Sequence, residues 1–130
     1  MVVFFDIDGT IVDEETQAIP ASTIAAVTEM RKRGHIPVVN TGRPFSHIDA
    51  RVRAMDFAAW VCGCGMEIRM DDRWLAHSAP EESLCHYVSA QARRFHVRPL
   101  YEDDDGSLIY DPQLCGNPSQ TLEMTRMLQK

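Results

Sequence analysis

The chain reads as an α/β protein, a parallel sheet with crossover helices, followed by a smaller α+β segment. Three observations carry this reading. Short apolar runs rich in β-formers recur at Val2–Phe5, Ile36–Val39 and Ala58–Cys62. Between them, apolar residues fall at helical spacing, the alternation that builds strand–helix–strand units. Beyond Gly63 the rhythm changes to hairpin signals and one further helical stretch. In order, Val2–Phe5 is short and continuously apolar, as for a central strand buried on both faces. Ile24, Val27 and Met30 share a helical stripe. Arg31-Lys32-Arg33 fills the last turn, where the helix dipole favours cations, and Gly34 is the stop. Ile36, Val38 and Val39 form the second strand, reaching Asn40-Thr41-Gly42-Arg43. Pro44 is expected to open a helix with Phe45, Ile48, Val52 and Met55 on one face, and Ala58–Cys62 is the third strand.

The remainder is read as the α+β segment. Met66–Met70 and Trp74–His77 flank Asp71-Asp72-Arg73 as a hairpin, and Ser78-x-x-Glu81 is a capping box for a helix carrying Leu84, Val88, Ala92 and Phe95. Tyr101–Glu102 and Leu108–Tyr110 are expected to pair around the acidic turn Asp103-Asp104-Asp105-Gly106. Asn117-Pro118 starts a last helix through Leu122, Met124, Met127 and Leu128. That pattern reaches the final residue without a Gly, Asn or Pro stop, so the expectation is the front part of something longer. The boundary between the two parts falls at residue 78, giving 1–78 and 79–130.

Composition narrows the function classes. At 130 residues the length fits about one domain. Thirteen basic against 19 acidic residues, net −6, argue against a nucleic-acid surface, which needs clustered Lys and Arg. The N-terminus lacks the marks of a signal peptide, and no run approaches the roughly 18 apolar residues of a membrane span. The cytoplasm is therefore the default compartment. Cys62, Cys64, Cys85 and Cys115 read as reduced thiols, structural rather than metal-binding, because Cys62-x-Cys64 has no second ligand pair. His35, His47, His77, His86 and His96 show no metal-ligand spacing; His47 follows Arg43 closely but reads as a helix-surface residue.

The chemistry concentrates at Asp6-Ile7-Asp8-Gly9-Thr10, at the mouth of the first strand. Two carboxylates two positions apart both turn towards one bound group as the strand opens into a loop, one attacking and the other handling a proton. Gly9 lets the backbone approach a ligand and Thr10 offers a hydroxyl. Burying both acids beside apolar residues would cost several kcal/mol or so without partners, so a cation is expected. Mg²⁺ fits, as a hard cation that keeps waters and bridges carboxylates to phosphate. Asp13, Glu14 and Glu15 read as a solvated loop.

With Thr41-Gly42-Arg43 at the end of the next strand, this arrangement resembles the haloacid dehalogenase superfamily of phosphatases. Cys62-Gly63-Cys64-Gly65-Met66-Glu67-Ile68 is similar to the "NGA" segment of its Cof-type sugar-phosphate phosphatases, with Cys64 where an Asn usually stands. The resemblance implies a HAD-like, Rossmann-like core fragment with an incomplete cap. It implies Asp6 as nucleophile forming an aspartyl-phosphate, Asp8 as acid and base, and Mg²⁺ against the Asp6 carboxylate and the Asp8 backbone carbonyl. Gly9, Thr10, Thr41, Gly42 and Arg43 would bind phosphate. The implied partner is a small phosphorylated metabolite, a sugar phosphate among the candidates, with a phosphomutase or a non-catalytic phosphate- or partner-binding remnant as alternatives. The family also uses a Lys or Arg on the phosphate and a distal acidic pair. The only lysines here are Lys32 and Lys130, and Asp103-Asp104-Asp105 reads as a hairpin tip. A missing set of later strands would leave a sheet edge open to a second copy.

Overall fold

A computed structural model describes residues 1–97, 99–102 and 108–110. They divide into two units, one covering Met1–Ala79 and the other beginning at Pro80. The first unit holds a five-stranded sheet: β1 (Val2–Phe5), β2 (Ile36–Asn40), β3 (Ala59–Cys62), β4 (Glu67–Met70) and β5 (Arg73–His77), in that spatial order. β1, β2 and β3 are parallel, with Phe5 opposite Val39 and Val39 opposite Trp60. β3, β4 and β5 continue as an antiparallel meander. Crossover helix α1 (Ala21–Lys32) links β1 to β2, and Gly34, at φ 76, turns the chain back into the sheet.

The core lies on the sheet face that carries Val39 and Trp60. Ile7, Ile11, Val27, Val39, Ile48, Val52 and Cys62 are almost completely buried there, with Phe5 and Phe45 packed against them. Edge-to-face ring contacts join Phe5 to Phe57, Phe57 to Trp60, and Trp60 to Phe45 at centroid distances of 5.8, 5.6 and 5.5 Å.

Several expectations change. β1 is not buried on both faces: among the described residues it pairs only with β2, and its alternate residues Val2 and Phe4 are 51% and 61% exposed. The helix after Pro44 is not continuous. A 3₁₀ turn over Phe45–His47 gives way to extended Ile48 and Asp49, then to the four-residue α2 (Ala50–Arg53). Asp49 is the cause, because its carboxylate accepts the Arg51 N–H at 2.7 Å and restarts the helix as an N-cap. The expected face survives the break, since Ile48, Val52 and Met55 are buried. The β4–β5 turn is the pair Asp71-Asp72, both at positive φ (46° and 61°), and Arg73 belongs to the strand.

In the second unit, α3 (Glu82–Phe95) has Glu81 as N-cap with no side-chain bond, so the capping box does not form. Ser78 instead gives both its N–H and its hydroxyl to the Met66 carbonyl, at 3.0 and 3.3 Å, as the sheet ends. Of the expected α3 face, Ala92 is buried while Leu84, Val88 and Phe95 stay exposed. His96, at φ 54, closes the helix. β6 (Leu100–Glu102) and β7 (Leu108–Tyr110) pair antiparallel as expected. The acidic turn between them and the helix expected after Asn117-Pro118 lie outside the described residues. No helix among the described residues is long and apolar enough to cross a membrane.

Candidate active site

The loop after β1 is built on alternation. Ile7, Ile11 and Val12 point inward and are buried, which leaves Asp6, Asp8, Gly9 and Thr10 at the surface. The Ile7 carbonyl accepts the N–H groups of Thr10, Ile11 and Val12 at 3.2, 2.9 and 2.9 Å, and the Gly9 N–H reaches the Val12 carbonyl at 2.9 Å. This tight turn needs Gly9: its φ is 70, and a Cβ there would meet a Glu14 carboxylate oxygen at 2.9 Å. Asp6 accepts the Ile7 N–H at 2.8 Å. Asp13 is engaged in an Asx turn with the N–H groups of Glu15 and Thr16 and the Thr16 hydroxyl, which lower its pKa. Both Asp6 and Asp8 are exposed, so the expected desolvation cost does not arise and cannot argue for a cation. The case for one rests on donor chemistry instead.

The loop after β2 supplies the other half. Thr41 is 5% exposed, and its hydroxyl oxygen accepts the Arg43 N–H at 3.2 Å. The Gly42 N–H has no protein acceptor among the described residues. Arg43 reaches back to the first loop: Nε and a terminal nitrogen donate to the two Asp8 carboxylate oxygens at 2.9 and 2.6 Å. Such a bidentate pair fixes both direction and distance. It also raises the Arg43 pKa, first through the Asp8 hydrogen bond, with the charges of Asp8, Asp49 and Asp6 adding and burial opposing.

The β3–β4 connection holds this second loop from behind. The Gly63 N–H donates to the Arg43 carbonyl at 2.9 Å, and the Cys64 N–H to the Thr41 carbonyl at 3.4 Å. Glu67, 8% exposed, accepts the Phe45 N–H at 2.7 Å. Gly63, Cys64 and Gly65 all adopt positive φ (55°, 54° and 93°). Cys62 is buried and inert, its thiol pushed up to about 12 by burial and then by the Glu67 charge.

Asp6, Thr41 and Gly42 line one cleft of about 450 Å³, together with Phe4, Phe5, Asn40 and Cys64. Asp8 and Arg43 form their ion pair outside that lining, and Gly9 and Thr10 shape the turn without lining the cleft. Sequence reasoning treated Cys64 as a reduced structural thiol and a departure from the family segment, and it passed over Glu67, giving it no chemical role. The available signal for Cys64 was the pair of glycines flanking it, which mark a left-handed loop; Glu67 stands in a strand that also carries Arg69 and had no comparable signal. No group of three or more His, Cys, Asp or Glu is arranged to hold a metal among the described residues. The Asp6 carboxylate and neighbouring main-chain oxygens are all hard donors, which suits an ion such as Mg²⁺ that keeps several waters.

Comparison with known proteins agrees with this architecture. No protein of curated function matches the chain. Among solved structures, a hypothetical protein from Geobacillus kaustophilus superposes with a TM-score of 0.73 at 23% identity, covering 97% of this chain and 48% of its own. BT1666 from Bacteroides thetaiotaomicron, described among phosphatases of the haloalkanoate (HAD) superfamily, gives 0.80 at 21% identity, with 96% and 46% covered. BT4131, described as a HAD subclass IIB sugar phosphatase, gives 0.71 at 24% identity, with 87% and 45% covered. The chain thus spans about half the length of the solved structures it matches. The sequence profile of the haloacid dehalogenase-like hydrolases matches residues 3–129, nearly the whole chain, and the chain belongs to that family.

Proposed function

We propose that this chain carries the nucleophile and phosphate-gripping half of a phosphatase acting on a small phosphomonoester. The observation that supports it best is that Asp6, Thr41 and Gly42 share one cleft while Arg43 fixes the neighbouring Asp8 carboxylate. In the proposed reaction an Asp6 oxygen attacks phosphorus as the ester P–O bond breaks, and Asp8, protonated and with one oxygen released from Arg43, gives its proton to the leaving oxygen. Water then attacks the aspartyl-phosphate, Asp8 takes its proton, and phosphate leaves from Asp6. The Thr41 hydroxyl and the Gly42 N–H hold the phosphate oxygens, at the carboxyl end of a strand where open α/β sheets bind ligands. The Asp6 carboxylate and the Asp8 carbonyl would hold Mg²⁺, which would supply charge that neutralises the acids and the phosphate dianion. A sugar phosphate is the favoured class, after the name given to the neighbour BT4131.

The test is hydrolysis of p-nitrophenyl phosphate by the 130-residue chain with and without Mg²⁺. Turnover that needs Mg²⁺ and vanishes in Asp6→Asn is the expected result. Unchanged turnover in Asp6→Asn refutes the nucleophile. Phosphate binding with no turnover in the parent chain moves the reading to a non-catalytic phosphate-binding protein.

A further inference from the structure

Glu67 is a buried carboxylate for which the proposed reaction has no use. It sits at the start of β4, 8% exposed, and accepts the Phe45 N–H at 2.7 Å. Phe45 is the second residue after Arg43, separated from it only by Pro44. The Phe45 ring is held from the same side, edge-on to Trp60 and Trp74 at 5.5 and 5.8 Å and beneath the Arg69 guanidinium at 4.6 Å. On the N-terminal flank of Arg43 the Thr41 carbonyl accepts the Cys64 N–H at 3.4 Å, and the carbonyl of Arg43 itself accepts the Gly63 N–H at 2.9 Å. The main chain on both sides of Arg43 is therefore fixed by one segment, residues 63–67. The side chain between those ties is the one that meets both Asp8 oxygens.

A carboxylate accepting a backbone N–H makes a charge-assisted bond, stronger and shorter than a neutral one. Proline at position 44 donates no N–H, so Phe45 offers the first backbone donor after Arg43 by which the loop can be anchored. Burying an acid costs more than burying an apolar residue in the same place, which makes a purely packing role for Glu67 a poor explanation.

We propose that Glu67 is a positioning residue, one that anchors the loop after β2 through Phe45 so that Arg43 faces Asp8 and Thr41-Gly42 faces the phosphate. This rests on the phosphate reading given above. The experiment compares the full 130-residue chain with Glu67→Ala, Glu67→Gln and the core control Val52→Ala. Amide hydrogen exchange at Phe45 and Arg43 is measured by NMR, and inorganic phosphate affinity by calorimetry with Mg²⁺ present. Glu67→Ala is expected to speed exchange at Phe45 and to weaken phosphate binding, each by about tenfold, as loss of a charge-assisted bond implies. Glu67→Gln keeps an acceptor oxygen and is expected to stay within about threefold of the parent on both measures. Val52→Ala, which lowers stability without removing the Glu67 to Phe45 bond, is expected to leave phosphate affinity unchanged.

Phosphate affinity untouched by Glu67→Ala, or weakened equally by Val52→Ala or by Glu67→Gln, overturns the positioning role while leaving the phosphate reading intact. A parent chain that binds no phosphate overturns the phosphate reading, and the positioning role with it. Should Glu67→Ala not fold, Glu67→Gln still decides: parent-like exchange and affinity support the anchor, and loss of either refutes it.

Discussion

Cys64 offers a measurable strain. It sits at φ 54, ψ 31 between two glycines that also adopt positive φ. For a residue with a Cβ, the left-handed conformation costs roughly 1–2 kcal/mol, whereas Gly adopts it freely and Asn with less penalty. Cys64 is exposed, and its Sγ would lie 3.6 Å from a Cβ built on Gly42, so removing the thiol forfeits little packing. Cys64→Gly recovers the strain but returns about 0.5–1 kcal/mol through the greater freedom of glycine in the unfolded chain. The net is a stabilisation of about 0.5–1 kcal/mol, and Cys64→Asn should gain about half that. Cys64→Ala keeps the Cβ and the strain and separates conformation from loss of the thiol. A β-branched Cys64→Val should lose about 1 kcal/mol or more. Urea unfolding followed by circular dichroism reads these differences as shifts in midpoint at constant slope. The reasoning fails if Cys64→Gly and Cys64→Asn are both no more stable than Cys64→Ala.

Three further outcomes follow from the same coordinates. Asp49, held down to about 2 by its side-chain and backbone hydrogen bonds to Arg51, has a folded pKa below its ordinary 3.8. Its stabilising contribution is present above 3.8 and is lost as pH falls towards 2, so Asp49→Ala should cost about 1 kcal/mol at neutral pH and nothing below pH 2, by acid-dependent unfolding. Iodoacetamide at pH 8 should label exposed Cys64 at least about tenfold faster than buried Cys62, read by peptide mass spectrometry, with inorganic phosphate slowing Cys64 alone. Equal labelling would contradict the burial of Cys62. The buried Ser46 hydroxyl has no hydrogen-bond partner among the described residues, so Ser46→Ala should raise the thermal midpoint, by about 1 kcal/mol in stability; a lower midpoint would mean that the hydroxyl has a partner.

The strand–helix alternation and both chemistry-bearing loops were legible in the sequence because their causes are local. Ile7, Ile11 and Val12 interleave with polar residues, which marked the loop, although its two acids, expected to be buried, are exposed. The break at Asp49 was also local, yet helical spacing of Phe45, Ile48, Val52 and Met55 outweighed one capping residue in a reading by periodicity. What could not be read were the long-range ties. The Arg43 to Asp8 pair joins residues 35 apart and the Glu67 to Phe45 bond residues 22 apart, and neither leaves a periodic trace. The edge position of β1 was hidden for another reason, since an apolar run looks alike whether neighbours cover it or not.

That edge bears on the chemistry. Among the described residues β1 is hydrogen-bonded along one side only, and Asp6 stands at its tip. A strand tethered on a single flank opens more readily than one clasped on two, and the carboxylate proposed to attack phosphorus rides on one of the two edge strands of the sheet. A strand pairing along Val2–Phe5 would restrain the backbone that carries Asp6 and would cover the exposed Phe4 ring.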